Sequence, residues 1–471
     1  MSYLAADLDL TDAGLGDALA AEVVQRWRYC ADGGFWLRWG GTHWARDYGE
    51  GIVQEALAVV DELEGAVDLA GSSAARKAWV NRRSAASLRA QVSMARTTPA
   101  IVVMVAQLDV DAEVIATPTG LVDLRRGRLL PHDPARLYSR CTVGRLDAAA
   151  DQSPWRAFID QVACGDTTLA AWLQRAVGMS LLGDQRSSLA PFCFGFGANG
   201  KTTFLQAISY ALGTYAGKAA GDLVTASQHD RHPAEIMDLR ALRFVVVDEL
   251  RAAVALDEAK LKRLTGGGVT KARAMGKDFV EFPNTWQMWM DCNAGPTIRG
   301  QDDGIWRRLR LVPWRHHVPE ADRDLDLPRR LEGMADAIFT WAVEGCVAYL
   351  RDGLPVCAAI DAGTRTYRAE QDVVGQWLDD VAEYPDDGWA LDAGKWSSTA
   401  AVAESARRWC EAQSLHAWSP QRLAQDLRAR GCTDSRRGGV RGWQGLEIKA
   451  AATAAKWPGG SGTWADRESY R

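Results

Sequence analysis

The chain has 471 residues, which is enough for several domains and at least one large core. Hydrophobic residues make up 47% and charged residues 24%, a balance that excludes a disordered or collagen-like chain. The formal net charge of −5 excludes a uniformly basic nucleic-acid binder, so any contact with DNA must come from local basic patches.

The cysteines and the N-terminal sequence exclude further classes. The 9 cysteines show no C-x-x-C spacing and no histidine in finger spacing, so we expect reduced thiols rather than a zinc site or a disulfide framework. The acidic N-terminus does not resemble a signal peptide, and there is no apolar run of about 18 residues that would predict a membrane span. We therefore expect a cytoplasmic protein without membrane contacts.

The first part of the chain, residues 1–185, is predicted to be a mainly helical domain with small β units. Helical spacing follows the N-cap candidates Thr11 and Asp12 and extends over 11–29. Two short alternating runs around Gly40 and Gly41 predict a β-hairpin. Further helices are predicted at 50–66, 73–98 and 154–183, and a second β unit at 114–134.

An α/β core is predicted over residues 186–318. Residues 189–213 have the pattern of a strand, a glycine-rich turn and a helix that ends near Gly213. Two short apolar runs, 243–250 and 286–293, are typical of strands that are buried on both faces. Strands that alternate with helices in this way indicate a parallel sheet covered by helices.

The remainder of the chain is predicted to be helical at 319–383 and to continue through a polar, Asp/Gly-rich linker at 384–398. Residues 399–449 contain two helical patterns and a glycine-rich hairpin, an order that fits a winged helix. The last segment, 450–471, has the composition of a loose tail.

Residues 195–202 fit the phosphate-loop pattern G-x-x-x-x-G-K-[ST]. Glycines let backbone N–H groups curl around a phosphate, and the start of the next helix adds partial positive charge. We predict that Lys201 contacts the β- and γ-phosphates of ATP and that the Thr202 hydroxyl binds Mg²⁺. The alternative is a glycine-rich turn of an unrelated fold. The predicted nucleotide-binding residues are Gly195, Gly197, Asn199, Gly200, Lys201, Thr202 and Thr203.

Two acidic residues end the strand predicted at 243–250. A carboxylate at the end of a buried strand is poorly placed unless it faces a cation. We predict that Asp248 binds Mg²⁺ and that Glu249 orients and activates the attacking water. The alternative is a strand-end capping pair with a solvated glutamate.

Three polar residues downstream are candidates for sensing or stabilising the transferred phosphoryl group. Asn293 ends the third apolar run, where it is either a γ-phosphate sensor or a simple turn residue. Either Arg307 or Arg308 could reach the nucleotide of a neighbouring subunit, with Arg308 slightly favoured; otherwise both are surface arginines in ion pairs.

A basic segment at 260–282 lies between the acidic strand and the Asn293 strand. Its six basic and two acidic residues give it a net charge of +4 within an acidic protein. We predict a hairpin with Lys277 at its tip, and DNA contacts by Lys271, Arg273 and Lys277 in the channel of a ring. The alternative is a solvated hairpin that binds no ligand.

These motifs together resemble superfamily 3 helicases, specifically the phage and plasmid primase–helicase family related to poxvirus nucleoside triphosphatases. The GFGANGKTTF loop, the TGG hairpin and the CNAGPTIRGQDDGIWRRLRLVPW block are similar to that family, as are TPTGLVDLRRGRLLPHDP and LQRAVGMSLLGD before the core. The resemblance implies an AAA+ ATPase of the superfamily 3 type that forms a homo-hexamer around one DNA strand. It also implies a phage- or plasmid-encoded protein in a bacterial host cell, with a separate primase or initiator as a further partner.

The chain departs from that family in two places. Relatives often have TGGD where this chain has Thr265 followed by three glycines, so a polar contact is expected to be missing there. Many relatives also carry a primase–polymerase domain ahead of the motor. Only a short helical stretch precedes residue 35, so we expect no nucleotide polymerisation by this chain.

The C-terminal module and the overall function each leave alternatives open. The winged-helix pattern predicts either DNA contacts or a packing and partner-binding role. Beside a translocating helicase, we consider an ATPase that assembles on DNA without moving, as an initiator or defence protein, and a non-enzymatic origin-binding adaptor with a vestigial nucleotide site. The candidate DNA-binding residues of this module are Arg422, Arg428, Arg436, Arg437 and Arg441.

Overall fold

The computed structural model describes residues 9–66, 73–195, 197–226, 233–248, 250, 254–273, 278–293, 295–300, 302–383 and 394–449. The chain divides into two compact units, the first formed by residues 1–296 with 307–361 and the second by residues 297–306 with 362–471. Within the described ranges, every helix is too short or too polar to span a lipid bilayer.

The N-terminal part of the first unit combines helices with two small sheets. Its elements are α1 (Asp12–Val23), β1 (Trp27–Cys30), β2 (Phe35–Trp39), β3 (Trp44–Arg46), α2 (Gly51–Ala66), α3 (Ser73–Arg82), α4 (Ala85–Ala95), β4 (Val102–Val103), β5 (Val114–Thr117), β6 (Gly120–Asp123), β7 (Arg128–Leu130), α5 (Ser153–Val162) and α6 (Thr167–Met179). The sheets have the strand orders β3-β2-β1-β4 and β5-β6-β7. An apolar core that includes Trp27, Trp36 and Val60 joins the first sheet to the helices.

The predicted elements of this region are largely present, with three corrections. The helix predicted over 154–183 is divided into α5 and α6 because the Asp166 side chain caps a new helix. Thr11 caps α1 by accepting a hydrogen bond from the Gly14 amide, and the hairpin around Gly40 and Gly41 is formed by β2 and β3. The helix predicted over 11–29 nevertheless ends at Val23, because Trp27–Cys30 pairs with β2 as a strand. The helix predicted over 73–98 is divided in two because the Ser84 side chain caps a new helix.

The centre of the first unit is a five-stranded parallel sheet. The elements that follow α6 are β8 (Ala190–Phe194), α7 (Lys201–Leu212), β9 (Ala216–Ala220), α8 (Pro233–Met237), β10 (Phe244–Asp248), α9 (Glu258–Thr265), β11 (Val269–Ala272), β12 (Val280–Pro283), β13 (Gln287–Cys292), α10 (Asp303–Trp306) and β14 (Leu309–Pro313). The strand order is β14-β8-β13-β10-β9, and every pairing is parallel. The carboxyl ends of these strands therefore meet at one edge, where open α/β sheets bind ligands.

An aromatic cluster fills the core beside the first turns of α7. Phe204 stacks on Trp155 of α5 at 5.9 Å between ring centroids and contacts Trp289 and Trp314 at 6.0 and 5.3 Å. Trp155 in turn packs edge-on against Trp341 at 5.4 Å. Helices α5 and α6 and the parallel sheet thus share one hydrophobic core.

A buried arginine joins the β5–β7 sheet to the parallel sheet. Arg243, only 1% exposed, lies directly before β10 and donates hydrogen bonds to the carbonyl oxygens of Asp111, Ala112, Val114 and Leu181 at 2.8–3.4 Å. A buried guanidinium is tolerated only where its donors are satisfied, so these carbonyls determine where the two parts meet.

The rest of the chain is mainly helical and ends in a small mixed domain. Its elements are α11 (Leu327–Glu332), α12 (Ala335–Asp352), α13 (Ala358–Gln371), α14 (Val373–Val381), β15 (Ala382–Glu383), β16 (Trp396–Ser398), α15 (Thr399–Ala412), α16 (Pro420–Ala429), β17 (Thr433–Arg437), β18 (Val440–Gln444) and β19 (Glu447–Ile448). In the second unit, β16, β18 and β17 form an antiparallel sheet in that order. A core that includes Trp377, Trp409 and Trp443 joins α14 and α15 to this sheet.

The predicted helices and hairpin of residues 399–449 are present as α15, α16 and the β17–β18 pair. The linker prediction for 384–398 is wrong at its end, because Trp396–Ser398 pairs with β18. The segments 384–393 and 450–471 lie outside the described residues.

We expect Arg243→Met to lower the free energy of unfolding of the first unit by about 3 kcal/mol, because it leaves several buried carbonyl groups without donors. Urea-induced unfolding monitored by tryptophan fluorescence measures the change. Arg126, which pairs with Asp123 on the surface, provides the matched control, and Arg126→Met should change stability by about 0.5 kcal/mol or less. Equal effects of the two substitutions would contradict the role assigned to Arg243.

Candidate functional site

The phosphate-loop candidate connects the carboxyl end of β8 to the start of α7. Ala198 and Gly200 both have left-handed backbone conformations, with φ of 62° and 81°. A Cβ at Gly200 would lie 2.8 Å from Cγ1 of Val162 in α5, and a Cβ at Gly195 would lie 2.5 Å from the Trp314 carbonyl oxygen. Close packing therefore requires both glycines.

The loop is fastened to the segment that follows β14. Asn199 is buried, and its Nδ2 donates to the Trp314 carbonyl at 3.3 Å while its Oδ1 accepts from the Lys201 amide at 3.3 Å. The Val318 amide donates to the Ala198 carbonyl at 2.9 Å. Asn199, predicted to bind nucleotide, thus supports the loop backbone in this structure.

The Lys201 side chain is turned inward and is only 2% exposed. Its ammonium forms an ion pair with Asp291 Oδ1 at 2.9 Å and donates to the Cys292 carbonyl at 2.7 Å and to Asn293 Oδ1 at 2.8 Å. A further contact reaches the Gly195 carbonyl at 3.4 Å. The acceptors at the end of β13 satisfy a charge that burial would otherwise strongly disfavour.

Thr202 and Asp248 are the predicted magnesium ligands. The Thr202 side chain is exposed, and its hydroxyl donates to Asp291 Oδ2 at 3.3 Å. Asp248 ends β10, is partly exposed and forms an ion pair with Lys218 at 3.4 Å. Hydroxyl and carboxylate oxygens are the donors that Mg²⁺ prefers. Glu249, the predicted water-activating residue, lies outside the described residues, and Thr203 is partly buried on α7.

Asp291 is a site residue that was not predicted, although the sequence contains a signal for it. Side chains two residues apart on a strand point to the same face, so the strand predicted at 286–293 places Asp291 on the same face as Asn293. It is also the charged residue in an otherwise apolar or neutral run, 287–292. A carboxylate placed two positions before a candidate phosphate sensor indicates a partner for the loop lysine.

Two buried cysteines, Cys193 and Cys292, lie near the carboxyl ends of β8 and β13. Burial raises the pKa of the Cys193 thiol to about 12 and that of the Cys292 thiol well above its ordinary value. Both thiols therefore stay protonated at neutral pH, and neither is a nucleophile for phosphoryl chemistry.

Arg307 and Arg308 lie directly before β14. Arg307 is exposed and, among the described residues, has no ion-pair partner. Arg308 is partly buried, with its guanidinium 4.0 Å from the position that a Cβ at Gly266 would take. Arg307 is thus more accessible to another molecule than Arg308.

The predicted hairpin is present as the antiparallel pair β11–β12. Phe279, which directly precedes β12, is exposed. Its ring centroid lies 4.7 Å from the Arg273 guanidinium and 5.8 Å from the Lys271 ammonium. Lys271 also lies 3.8 Å from Glu281. Lys277, which was predicted at the tip, lies outside the described residues.

The arginines of the C-terminal module differ in how far their charge is compensated. Arg422 and Arg428 form ion pairs with Asp426 and Asp434 at 3.8 and 2.8 Å. Arg437 donates to the Gly394 carbonyl at 3.2 Å and lies 5.7 Å from the Trp396 ring centroid. Arg436 and Arg441 are exposed and stand directly opposite each other across β17 and β18. Neither forms an ion pair within the described part of the chain, although the charge of Arg441, after the hydrogen bond from Arg428, helps to lower the pKa of the Asp434 carboxyl.

Comparison with protein families identifies two regions. Residues 16–164 match a family described as "D5 N terminal like", and residues 193–308 match a family of unknown function (DUF5906). The second region covers the phosphate loop, Asp248, Asn293 and both candidate arginines.

The curated relatives are proteins of large viruses. "Putative helicase L207/L206" of Acanthamoeba polyphaga mimivirus is 26% identical over 213 residues, which is 44% of this chain and 22% of that protein. "Putative helicase 022R" of Frog virus 3 is 25% identical over 247 residues, 48% of this chain and 25% of that protein. The chain thus spans about a quarter of the length of these relatives or less.

Solved structures share the fold. Two structures of the NrS-1 C terminal region superpose with TM-scores of 0.51 and 0.50 at 9% and 10% sequence identity. They cover 92% and 90% of this chain and 99% and 97% of the matched chains. The family models and the viral relatives confirm the predicted resemblance to phage and viral primase–helicases, and the solved structures show a shared fold.

We expect Gly200→Ala to lower the free energy of unfolding by about 2 kcal/mol, because a side chain at positive φ is strained and the new Cβ meets Val162. Gly197 is the matched control within the same loop, since a Cβ there meets nothing within 4 Å. Gly197→Ala should change stability by about 0.5 kcal/mol or less. Chemical denaturation of both variants measures the difference, and equal stabilities would show that the described loop packing is wrong.

Proposed function

We propose that this protein hydrolyses ATP to move along DNA, as the helicase motor of a phage or plasmid replicon in a bacterial cell. The single observation that carries the proposal is the buried Lys201 at the carboxyl edge of a parallel sheet, bonded to Asn293 and next to Thr202. This constellation has the chemistry of a nucleoside triphosphate site. The viral relatives that are named as helicases support a role on nucleic acid.

ATP would bind with its phosphates against the 195–202 loop. The loop amides and the start of α7 favour negative charge, and Lys201 would neutralise the β- and γ-phosphates. Asn293 already contacts the Lys201 ammonium, so it lies where a side chain can orient the γ-phosphate and the attacking water. Glu249, which follows Asp248 in the chain, would accept the proton of that water.

Mg²⁺ fits the oxygen donors that this chain offers. The Thr202 hydroxyl and the Asp248 carboxylate would hold the ion, and the pairing of Asp248 with an exposed lysine leaves this carboxylate accessible. When bound, the ion supplies charge neutralisation at the β- and γ-phosphate oxygens.

The proposed active unit is an AAA+ ring, a homo-hexamer in which an arginine reaches the nucleotide of the neighbouring subunit. Arg307 suits this role better than Arg308, because its side chain is exposed and has no ion-pair partner among the described residues. An arginine that enters a site in trans stabilises the charge that develops on the transferred phosphoryl group.

The β11–β12 hairpin would contact a single DNA strand. Lys271 and Arg273 flank the exposed Phe279, and cations beside an aromatic ring suit binding to phosphates and bases without sequence preference. Lys277, predicted at the tip, would move with the hairpin as nucleotide is hydrolysed.

We further propose that α14, α15, α16 and the β16–β18 sheet form a winged helix. The order helix, strand, two helices and a hairpin is the order of that fold, with α16 as the recognition helix and the β17–β18 hairpin as the wing. The opposed Arg436 and Arg441 favour a DNA-binding wing, because like charges across a strand pair are unfavourable unless an anion lies between them.

The proposal predicts separable effects of two lysines. Lys201→Ala should lower DNA-stimulated ATPase activity at least about a hundredfold, because the phosphates lose their buried positive partner. Lys277→Ala should keep basal ATPase activity but lose strand displacement on a forked DNA substrate. Steady-state hydrolysis and gel-based displacement measure the two activities, with the exposed Lys77→Ala as control.

Two results would favour the alternative functions. DNA-stimulated hydrolysis by a wild-type protein that never displaces a strand would indicate an ATPase that assembles on DNA without moving. No hydrolysis at all, with DNA binding retained, would indicate an adaptor with a vestigial nucleotide site. Electron microscopy with a non-hydrolysable ATP analogue and forked DNA tests whether a ring surrounds the strand.

The wing generates its own prediction. The double substitution Arg436→Ala and Arg441→Ala should weaken binding to duplex DNA and reduce the slope of log K against log salt by about 1 per arginine. It should not lower stability, because it removes a repulsion. Fluorescence anisotropy at several salt concentrations measures binding, with Arg407→Ala on α15 as control because Arg407 is paired with Glu404. An unchanged salt slope would favour a packing role for the module.

A further inference from the structure

One carboxylate engages both loop side chains that were predicted to bind phosphate and metal. Asp291 Oδ1 pairs with the Lys201 ammonium at 2.9 Å, and Asp291 Oδ2 accepts from the Thr202 hydroxyl at 3.3 Å. The other acceptors around Lys201 are neutral carbonyl oxygens and the amide oxygen of Asn293. Among the described residues, Asp291 is therefore the anion that compensates this lysine.

Because the ion pair is buried, Lys201 depends on Asp291 for its counter-charge. Lys201 is 2% and Asp291 17% exposed, so water cannot take over the role of the counter-charge. A phosphate that uses the same ammonium and hydroxyl brings a second anion to donors that already hold one. Two anions at such short range repel each other strongly in a buried site.

We propose that Asp291 is an internal stand-in for phosphate. It holds Lys201 and Thr202 before nucleotide binds, releases them to the incoming phosphates, and takes them back as product leaves. The inference rests on the proposed nucleotide site and assigns Asp291 a positioning role through Lys201, not a part in the chemical step. Its position on β13, two residues before Asn293, links this exchange to the candidate phosphate sensor.

The exchange has a measurable consequence for affinity. If Asp291 competes with phosphate, its neutral isostere should bind nucleotide more tightly than the wild type. Hydrogen bonds to charged groups are strong enough for Asp291→Asn to lower the Kd for ADP about tenfold and to slow ADP release in proportion. Asp291→Glu retains the charge and should stay close to the wild type.

The experiment titrates the full chain with a fluorescent ADP analogue in EDTA, so that no metal contributes, and then measures its release by a chase with excess ADP. The variants are Asp291→Asn, Asp291→Glu and, as a surface control, Asp324→Asn, which affects a carboxylate paired with Arg330. Asp291→Ser provides a second neutral variant if Asp291→Asn does not fold, and thermal unfolding without nucleotide checks folding. A merely structural role for Asp291 predicts weaker binding and faster release, the opposite of the expected result.

The outcomes separate this inference from the proposed function. Tighter binding and slower release in the neutral variants support the stand-in role. Unchanged or weaker binding in EDTA, with normal binding by the wild type, overturns it and leaves the nucleotide site intact. If neither the wild type nor any variant binds nucleotide, both the inference and the proposed function fail.

Discussion

The buried ammonium of Lys201 is the constraint on which the site depends. A lone charge in a protein interior is far too costly, so several acceptors must converge on one point. The parallel sheet provides this convergence because β13, which carries Asp291 and leads into Asn293, lies directly beside β8, which leads into the loop. The carboxyl ends of both strands then face the start of α7. A different strand order would separate the lysine from its acceptors.

The same constraint explains why buried contacts hold the loop in place. Asn199 and the Trp314 carbonyl hold its backbone, and Phe204 anchors the first turns of α7 in an aromatic cluster. Interiors packed to this density transmit displacement instead of absorbing it. The position of Lys201 is therefore set by residues from β8, β13 and β14 together, and by helices that precede the sheet in the chain.

Much of this arrangement was predictable from the sequence, and the remainder depends on tertiary contacts. The glycine pattern predicted the loop, and the apolar runs predicted β10 and β13, because local chemistry and burial leave clear periodic signals. The end of α1 was not predicted because Trp27–Cys30 pairs with β2 as a strand, and this pairing overrides the helical spacing of the sequence. Trp396–Ser398 was predicted as part of a linker because its strand partner, β18, lies far along the chain and leaves no local signal. The sequence offered one signal for Asp291, its place two residues before Asn293, but the ion pair with Lys201 depends on the tertiary contact between β13 and the loop.

Val162 and Phe158 lie against Gly200, so the floor of the phosphate loop is supplied by α5, which comes before the sheet in the chain. Trp155 of the same helix completes the aromatic cluster around Phe204. The parallel-sheet core of this chain is consequently not a separable module. A fragment that started at the first strand of the parallel sheet would expose Phe204 to water and leave Gly200 unsupported. Any shortened form of this protein that keeps the loop intact has to retain α5, and a displacement of that helix would act directly on the loop backbone at Gly200.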